Sequence, residues 1–374
     1  MKYYIIAGEA SGDLHGSRLI RAIKLNDSKA DIRAWGGDLM QEEGAQIVKH
    51  YRELAFMGFV EVIANLKTIL RNMKWCKSDV IGFSPDILIL IDYPGFNLPI
   101  AKFAHAKNIK TAYYISPQVW AWKENRVKLI KNVVDKMMVI LPFEKDFYSK
   151  WNYTVDYVGH PLAEIISEHQ NKNAGIPLKQ KLKLSESKKI VALLPGSRKQ
   201  EISKKLPVML AAARFFPDVE FVVAQAPGID DAFIIEITNQ YPDIKIIRES
   251  TYDLLSVSDV AMVTSGTATL ETALFGVPEV VCYFGSPLTY QIAKRLVKVP
   301  YISLVNLIME KMVVKELIQH EMNPENLCKE LKRLLEPDVA AGMKKDYEIL
   351  NAKLMSGGKA SENAAKIIHE MLLN

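Results

Sequence analysis

In the second half of the chain, VALLPGSRKQEI sets an apolar, strand-like run directly before Pro195, Gly196, Ser197 and Arg198, with a helix-like run directly after. A glycine turn at such a place brings backbone amides up to an anion, the helix start contributes its positive end, and Arg198 adds a charge-assisted fork. That is the chemistry of a diphosphate site; a tight turn carrying a surface arginine is the plainer alternative. AMVTSGTATLETALFGVP repeats the design, with Ser265, Gly266 and Thr267 at a helix start and Glu271 one turn in. Small hydroxyl residues there cap free amides or yield them to a phosphate, and the Glu271 carboxylate can accept both hydroxyls of a ribose. Ordinary capping accounts for the same residues equally well. Two anion-friendly helix starts in one half suit a single ligand with both a diphosphate and a ribose, a sugar nucleotide.

The chain opens differently. In IIAGEASGDLHG, Gly8, Gly12 and Gly16 recur every four residues, which permits close helix-to-strand packing, but neither GxGxxG nor the lysine-bearing phosphate loop is present. Glu9 and Asp13 make this a poor phosphate site. The loop suits a neutral, hydroxyl-bearing group, with Ser11 and the amides around Gly8 and Gly12 shaping a pocket and the acids accepting hydroxyl hydrogens. Ser11 or Asp13 as a helix N-cap is the alternative. In DILILIDYPGFN, Asp92 ends an apolar strand before a proline-glycine turn. It is placed to act as general base toward an acceptor hydroxyl once burial raises its pKa, or simply to start the turn. Gln118, in YYISPQVWAW, is a candidate hydrogen-bond partner for a sugar, and Trp120 and Trp122 suit stacking, lipid contact or a core. His160, in VGHPL, reads as a cleft-lining or hinge-side residue, with a core histidine as the alternative. No Asp-x-Asp and no histidine pair with ligand spacing occurs, so neither a metal nor any other cofactor is expected.

These loops need scaffolds to hold them. Short β-rich runs alternate with helical spacing: Tyr3 to Ala7, Ile87 to Ile91, Thr111 to Ile115, Lys136 to Leu141, Lys189 to Leu194, Val219 to Ala224, Val260 to Thr264 and Glu279 to Tyr283. That alternation predicts parallel sheets with helices on both faces. At 374 residues the chain exceeds what one core usually supports. The polar stretch Ser167 to Lys188 reads as the boundary between residues 1–166 and 189–347, and two doubly wound domains would face a cleft at their strand ends.

Three scattered cysteines support no disulfide framework or zinc site and fit a reducing cytosol. The start lacks a signal-peptide pattern, and no apolar run reaches the roughly 18 to 20 residues that span a bilayer. A net charge of +5, spread along the chain, argues against nucleic acid as partner but tolerates an anionic membrane face. In LAFMGFVEVIANLKTILRNMKWCK, apolar residues including Phe56, Met57, Phe59, Met73 and Trp75 share helical spacing, with Lys67, Arg71, Lys74 and Lys77 on another face. Such a run suits a membrane surface, or a core-facing helix with solvated lysines.

Taken in order, GEASGD, GFVEV, IDYPGFN, YYISPQVWAW, LPFE, YVGHPL, LLPGSR, TSGTATLE and SLVNLI make the chain closely resemble the lipid A disaccharide synthase family over nearly its whole length. The resemblance implies an α/β GT-B fold, two Rossmann-like doubly wound domains facing a cleft, with the last helical run, within 348–374, packing back on the first domain. It also implies a cytoplasmic enzyme peripherally associated with the inner membrane of a Gram-negative cell. Such an enzyme joins UDP-2,3-diacylglucosamine to 2,3-diacylglucosamine 1-phosphate, giving a β-1,6-linked disaccharide and UDP by a metal-independent inverting displacement. The family's acid and arginine match Asp92 and Arg198, with Asp13 the lesser candidate base. Its late motif matches Asn306 with Glu316 and Gln319 in KELIQ, although SLVNL replaces the usual proline before the asparagine. A homodimer remains open. A peptidoglycan-lipid transferase or a UDP-sugar epimerase of the same fold would share the second-half loops, and a non-catalytic UDP-lipid carrier would need no base.

Overall fold

A computed structural model describes residues 1–54, 66–285, 290 and 299–373. Phe56, Met57 and Phe59 lie outside the described residues, and so does the Trp122 side chain. The chain divides into two compact units, Met1–Pro161 with Leu354–Asn374, and Leu162–Lys353.

The first unit is built on seven parallel strands, β1 (Lys2–Ala7), β2 (Asp31–Gly36), β3 (Gln46–His50), β4 (Ile87–Ile91), β5 (Thr111–Tyr114), β6 (Lys136–Val139) and β7 (Asp156–Tyr157). Their order in the sheet is β3-β2-β1-β4-β5-β6-β7, so the winding reverses between β1 and β4. In register Ala7 pairs with Ile91, and Gly8 and Asp92 therefore leave the sheet side by side. Both sheet faces are covered. Ile5, Ala7, Ile89 and Ile91 pack with the helices Ala10–Asn26 and Ala360–Leu373, while Tyr4, Ile6, Leu88 and Leu90 pack with Leu66–Phe83 and Pro94–His105. A strand reading ILILI is what two buried faces require.

The second unit carries β8 (Lys189–Leu194), β9 (Val219–Gln225), β10 (Lys245–Arg248), β11 (Val260–Thr264), β12 (Glu279–Tyr283) and β13 (Lys315–Ile318), all parallel, in the order β10-β9-β8-β11-β12-β13. The reversal falls between β8 and β11. Leu194 pairs with Val263, which brings Pro195 level with Thr264.

The eight runs read as strands are all strands here, and β2, β3, β7, β10 and β13 join them. Except for β2, these five are only partly buried, so their sequences lack the continuous apolar signal. The boundary also differs from the polar stretch Ser167 to Lys188, which folds into the second unit. Leu178 and Leu184 are buried, Lys181 pairs with Asp253 at 2.7 Å, and Ser185 N donates to Glu220 at 2.7 Å. The chain returns to the first unit at Leu354, where the helix Ala360–Leu373 lies on Ala10–Asn26 and Asn363 Nδ2 donates to Val158 O at 3.0 Å. Among the described residues no helix is long and apolar enough to cross a membrane.

Candidate active site

At the β8/β11 reversal a cavity of about 500 Å³ is lined by Gly196, Ser197, Arg198 and Glu201 from one loop and Ser265, Gly266, Thr267 and Glu271 from the other. Ligands of open α/β sheets bind at this point. Gly196 has φ +120°, and a Cβ on it would meet Glu201 Oε2 at 2.6 Å, so only glycine fits the turn. No side chain caps the helix Lys199–Ala213 or the helix Thr267–Leu274. Ser197, Gly266 and Thr267 are exposed, as is the Arg198 side chain, 61% accessible with Nη1 3.0 Å from Glu201 Oε1. Two helix starts uncapped by side chains among the described residues, with a guanidinium beside them, have the chemistry to receive an anion. At the cavity's other wall, burial raises the pKa of Glu271, and Tyr252 OH donates to its Oε1 at 2.9 Å.

The late motif has a different task. Asn306 is fully buried; its Nδ2 donates to Val314 O and Glu316 Oε1, both at 2.9 Å, and its Oδ1 accepts from the amides of Val313 and Val314. Glu316 accepts in turn from the Ile302 and Ser303 amides. Asn306 and Glu316 thus brace a loop whose Ile302 carbonyl accepts from Ser265 Oγ at 3.3 Å, and they reach the cavity only through Ser265. Gln319, at φ +54°, lies outside the cavity lining, with Nε2 buried and unpartnered among the described residues.

At the β1/β4 reversal the side chains are acidic. Asp92 and Tyr93 both have left-handed backbones, φ 43° and 48°, a costly arrangement for non-glycine residues. The strain is held by three hydrogen bonds from two donors: Asn97 Nδ2 to Asp92 O at 2.7 Å and to Ile91 O at 3.2 Å, and Tyr113 OH to Asp92 O. Gly8 lies so close to the Tyr93 ring that a Cβ would come within 2.3 Å of it. Burial, with Glu9 adding repulsion, pushes the Asp92 carboxyl up to about 6. A carboxylate of that pKa is ionised at neutral pH yet basic enough to take a hydroxyl proton. Ser11, in the first turn of the helix Ala10–Asn26, is exposed.

Asp13 is not available for that chemistry. It is 2% exposed, and its carboxylate accepts from the amides of Gly37, Leu39 and Met40, capping the helix Asp38–Glu42. Gly12 serves packing, since its Cβ position lies 3.0 Å from Ala7 Cβ. His160, 4% exposed, is a core residue rather than a cleft-lining one; burial and nearby His15 push its pKa down to about 3. Trp120, 7% exposed and edge-on to Phe143 at 5.0 Å, fills the core, whereas Gln118 is exposed. Sequence reading missed Asn97, Tyr113, Tyr252 and Glu201: Tyr113 and Tyr252 meet their partners 21 and 19 residues away, while Asn97 and Glu201 bond close neighbours through contacts that only the folded loops show. A larger cavity of about 780 Å³ lies at the opposite ends of β8, β9 and β10, among Lys188, Arg214 and Lys245, away from either reversal.

Solved structures share this architecture. The UDP-GlcNAc 2-epimerase from Neisseria meningitidis, bound to UDP-GlcNAc, superposes with a TM-score of 0.67 at 13% identity over 100% of both chains. The glycotransferase of kitacinnamycin does so with 0.67 at 14% identity over 99% of each. The fold is GT-B. Sequence relatives are much nearer: a lipid-A-disaccharide synthase of Geobacter metallireducens is 40% identical over 98% of this chain and 96% of its own length. One from Coxiella burnetii is 35% identical over 99% and 98%. The family model for lipid-A-disaccharide synthetase matches residues 3–370, and the chain belongs to that family of lipid A glycosyltransferases.

Proposed function

We propose that this enzyme condenses UDP-2,3-diacylglucosamine with 2,3-diacylglucosamine 1-phosphate, releasing UDP and forming a β-1,6 linkage in a single inverting step. Asp92 takes the proton of the acceptor 6-hydroxyl as that oxygen bonds to the donor anomeric carbon, whose bond to the UDP oxygen breaks with its electron pair. Arg198 and the amides from Ser265 to Thr267 meet the charge that develops on UDP, without a metal ion. Glu271 accepts from the ribose, while Asn306, Glu316 and Gln319 act on the donor side from outside the cavity lining, the first two by bracing Ser265. Gly8, Glu9, Ser11 and Gln118 border the acceptor. The observation that carries this reading is the raised pKa of Asp92, fixed at the β1/β4 reversal beside a second carboxylate. Carriage of a UDP-lipid needs no base.

The test is UDP release with both acylated sugars, with each omitted in turn, and with chelator added. Release only when both are present, unchanged by chelator, is the expected result; release from the donor alone would replace transfer by epimerisation or hydrolysis. Membrane contact belongs to the helix Leu66–Phe83, where Leu66 and Leu70 are 51% and 57% exposed beside exposed Lys67, Arg71 and Lys74. Flotation with anionic but not neutral vesicles, lost in Leu70→Glu, checks that contact, and fractionation of cells into cytosol, inner membrane and outer membrane checks the assignment to the cytoplasmic face of the inner membrane.

A further inference from the structure

Lys205 lies in the helix Lys199–Ala213, two turns beyond Arg198, and is only 3% exposed while neighbouring Lys204 is exposed. Its ammonium donates to Thr264 Oγ1 at the end of β11 and lies 3.9 Å from Glu201 Oε2. Burial lowers its pKa and Glu201 opposes that shift. A buried ammonium is costly without a countercharge, and Glu201 is the carboxylate within reach. Glu201, however, lines the cavity and holds Arg198 on its other oxygen. A carboxylate in that wall repels a diphosphate and competes with it for the guanidinium.

We infer that Lys205 is a positioning residue for the donor: from behind the wall it cancels the charge of Glu201, so that Arg198 can leave that carboxylate for the diphosphate. With Lys205 the three side chains present a net positive charge to the ligand; without it they present none. Thr264 fixes the ammonium between the two loops that form the cradle. This inference rests on reading the cavity as the diphosphate site.

Calorimetric titration with UDP tests it on the full chain. Lys205→Met, which suits a buried position, is expected to weaken UDP binding roughly 10- to 100-fold, on the scale of an uncompensated nearby charge. Glu201→Gln should bind UDP at least as well as wild type, and adding it to Lys205→Met should restore affinity to within about threefold, the signature of coupled charges. Wild-type affinity in Lys205→Met, or a double variant as weak as the single, overturns the inference. A merely structural Lys205 would lower Tm without that rescue, and Lys205→Arg, keeping the charge, separates the two if Lys205→Met is unstable. Wild-type UDP binding untouched by Arg198→Ala would instead sink the diphosphate reading, and the inference with it.

Discussion

The two strand reversals are built to one plan and charged in opposite ways. After β1 and β4 the chain places Glu9 and Asp92, and it locks the Asp92 backbone in a strained turn under Asn97 and Tyr113. After β8 and β11 it places glycines, hydroxyls, two uncapped helix starts and Arg198. The topology supplies a location at the strand ends; the loops alone decide what that location binds. One reversal buries a carboxylate to make it basic, while the other leaves amides and a guanidinium unburied to receive an anion.

Exchanging charge at either reversal should break the contrast unequally. Asp92→Asn keeps shape and removes the base, and kcat should fall by roughly 10²- to 10⁴-fold in a UDP-release assay with UDP affinity unchanged. Activity within a few fold of wild type would remove Asp92 from the role. Arg198→Ala should lower kcat/KM by about 10²- to 10³-fold, the range of one lost oxyanion-type donor, and weaken UDP as well. Asn306→Ala tests the bracing of Ser265: deleting a buried amide with four bonds should cost roughly 2 to 4 kcal/mol in urea unfolding, with the activity loss following stability.

The pH dependence sharpens the same comparison. With Asp92 at about 6, kcat/KM should fall on the acid side of that value, and Glu9→Gln, removing one of the two causes, should move the limb to lower pH. A limb unmoved by Glu9→Gln would detach it from Asp92. Stability runs the other way. A carboxyl whose pKa is raised in the fold favours the folded state most below its unfolded value near 3.9, and that benefit is lost as pH rises through about 6. Asp92→Asn should therefore melt higher than wild type at pH 8, by about 1 to 2 kcal/mol, and the gain should shrink towards pH 4.

Much was legible in the amino-acid order. LPGSR and TSGTATLE offered an anion site beside the plainer reading of turn and cap, because glycine and small hydroxyls between a buried strand and a helix can serve either, whereas the doubly buried strands declared themselves by unbroken runs such as ILILI. Partly buried strands such as QIVKH did not, since one solvated side removes that signal. Polarity misled at Ser167 to Lys188, where Leu178 and Leu184 are buried and Lys181 and the Ser185 amide are tied to Asp253 and Glu220 although most of the stretch is exposed.

What the sequence determined by itself was the family, the parallel α/β class and the residue types at each strand end, because these are local properties of spacing and composition. What surrounds each acid was decided only by the tertiary structure. Asp13 and Asp92 are equally acidic in sequence, but three amides from another helix start consume the first, while burial beside Glu9 raises the second. A side chain's pKa and free lone pairs depend on what surrounds it in space, and those neighbours stand tens of residues away along the chain.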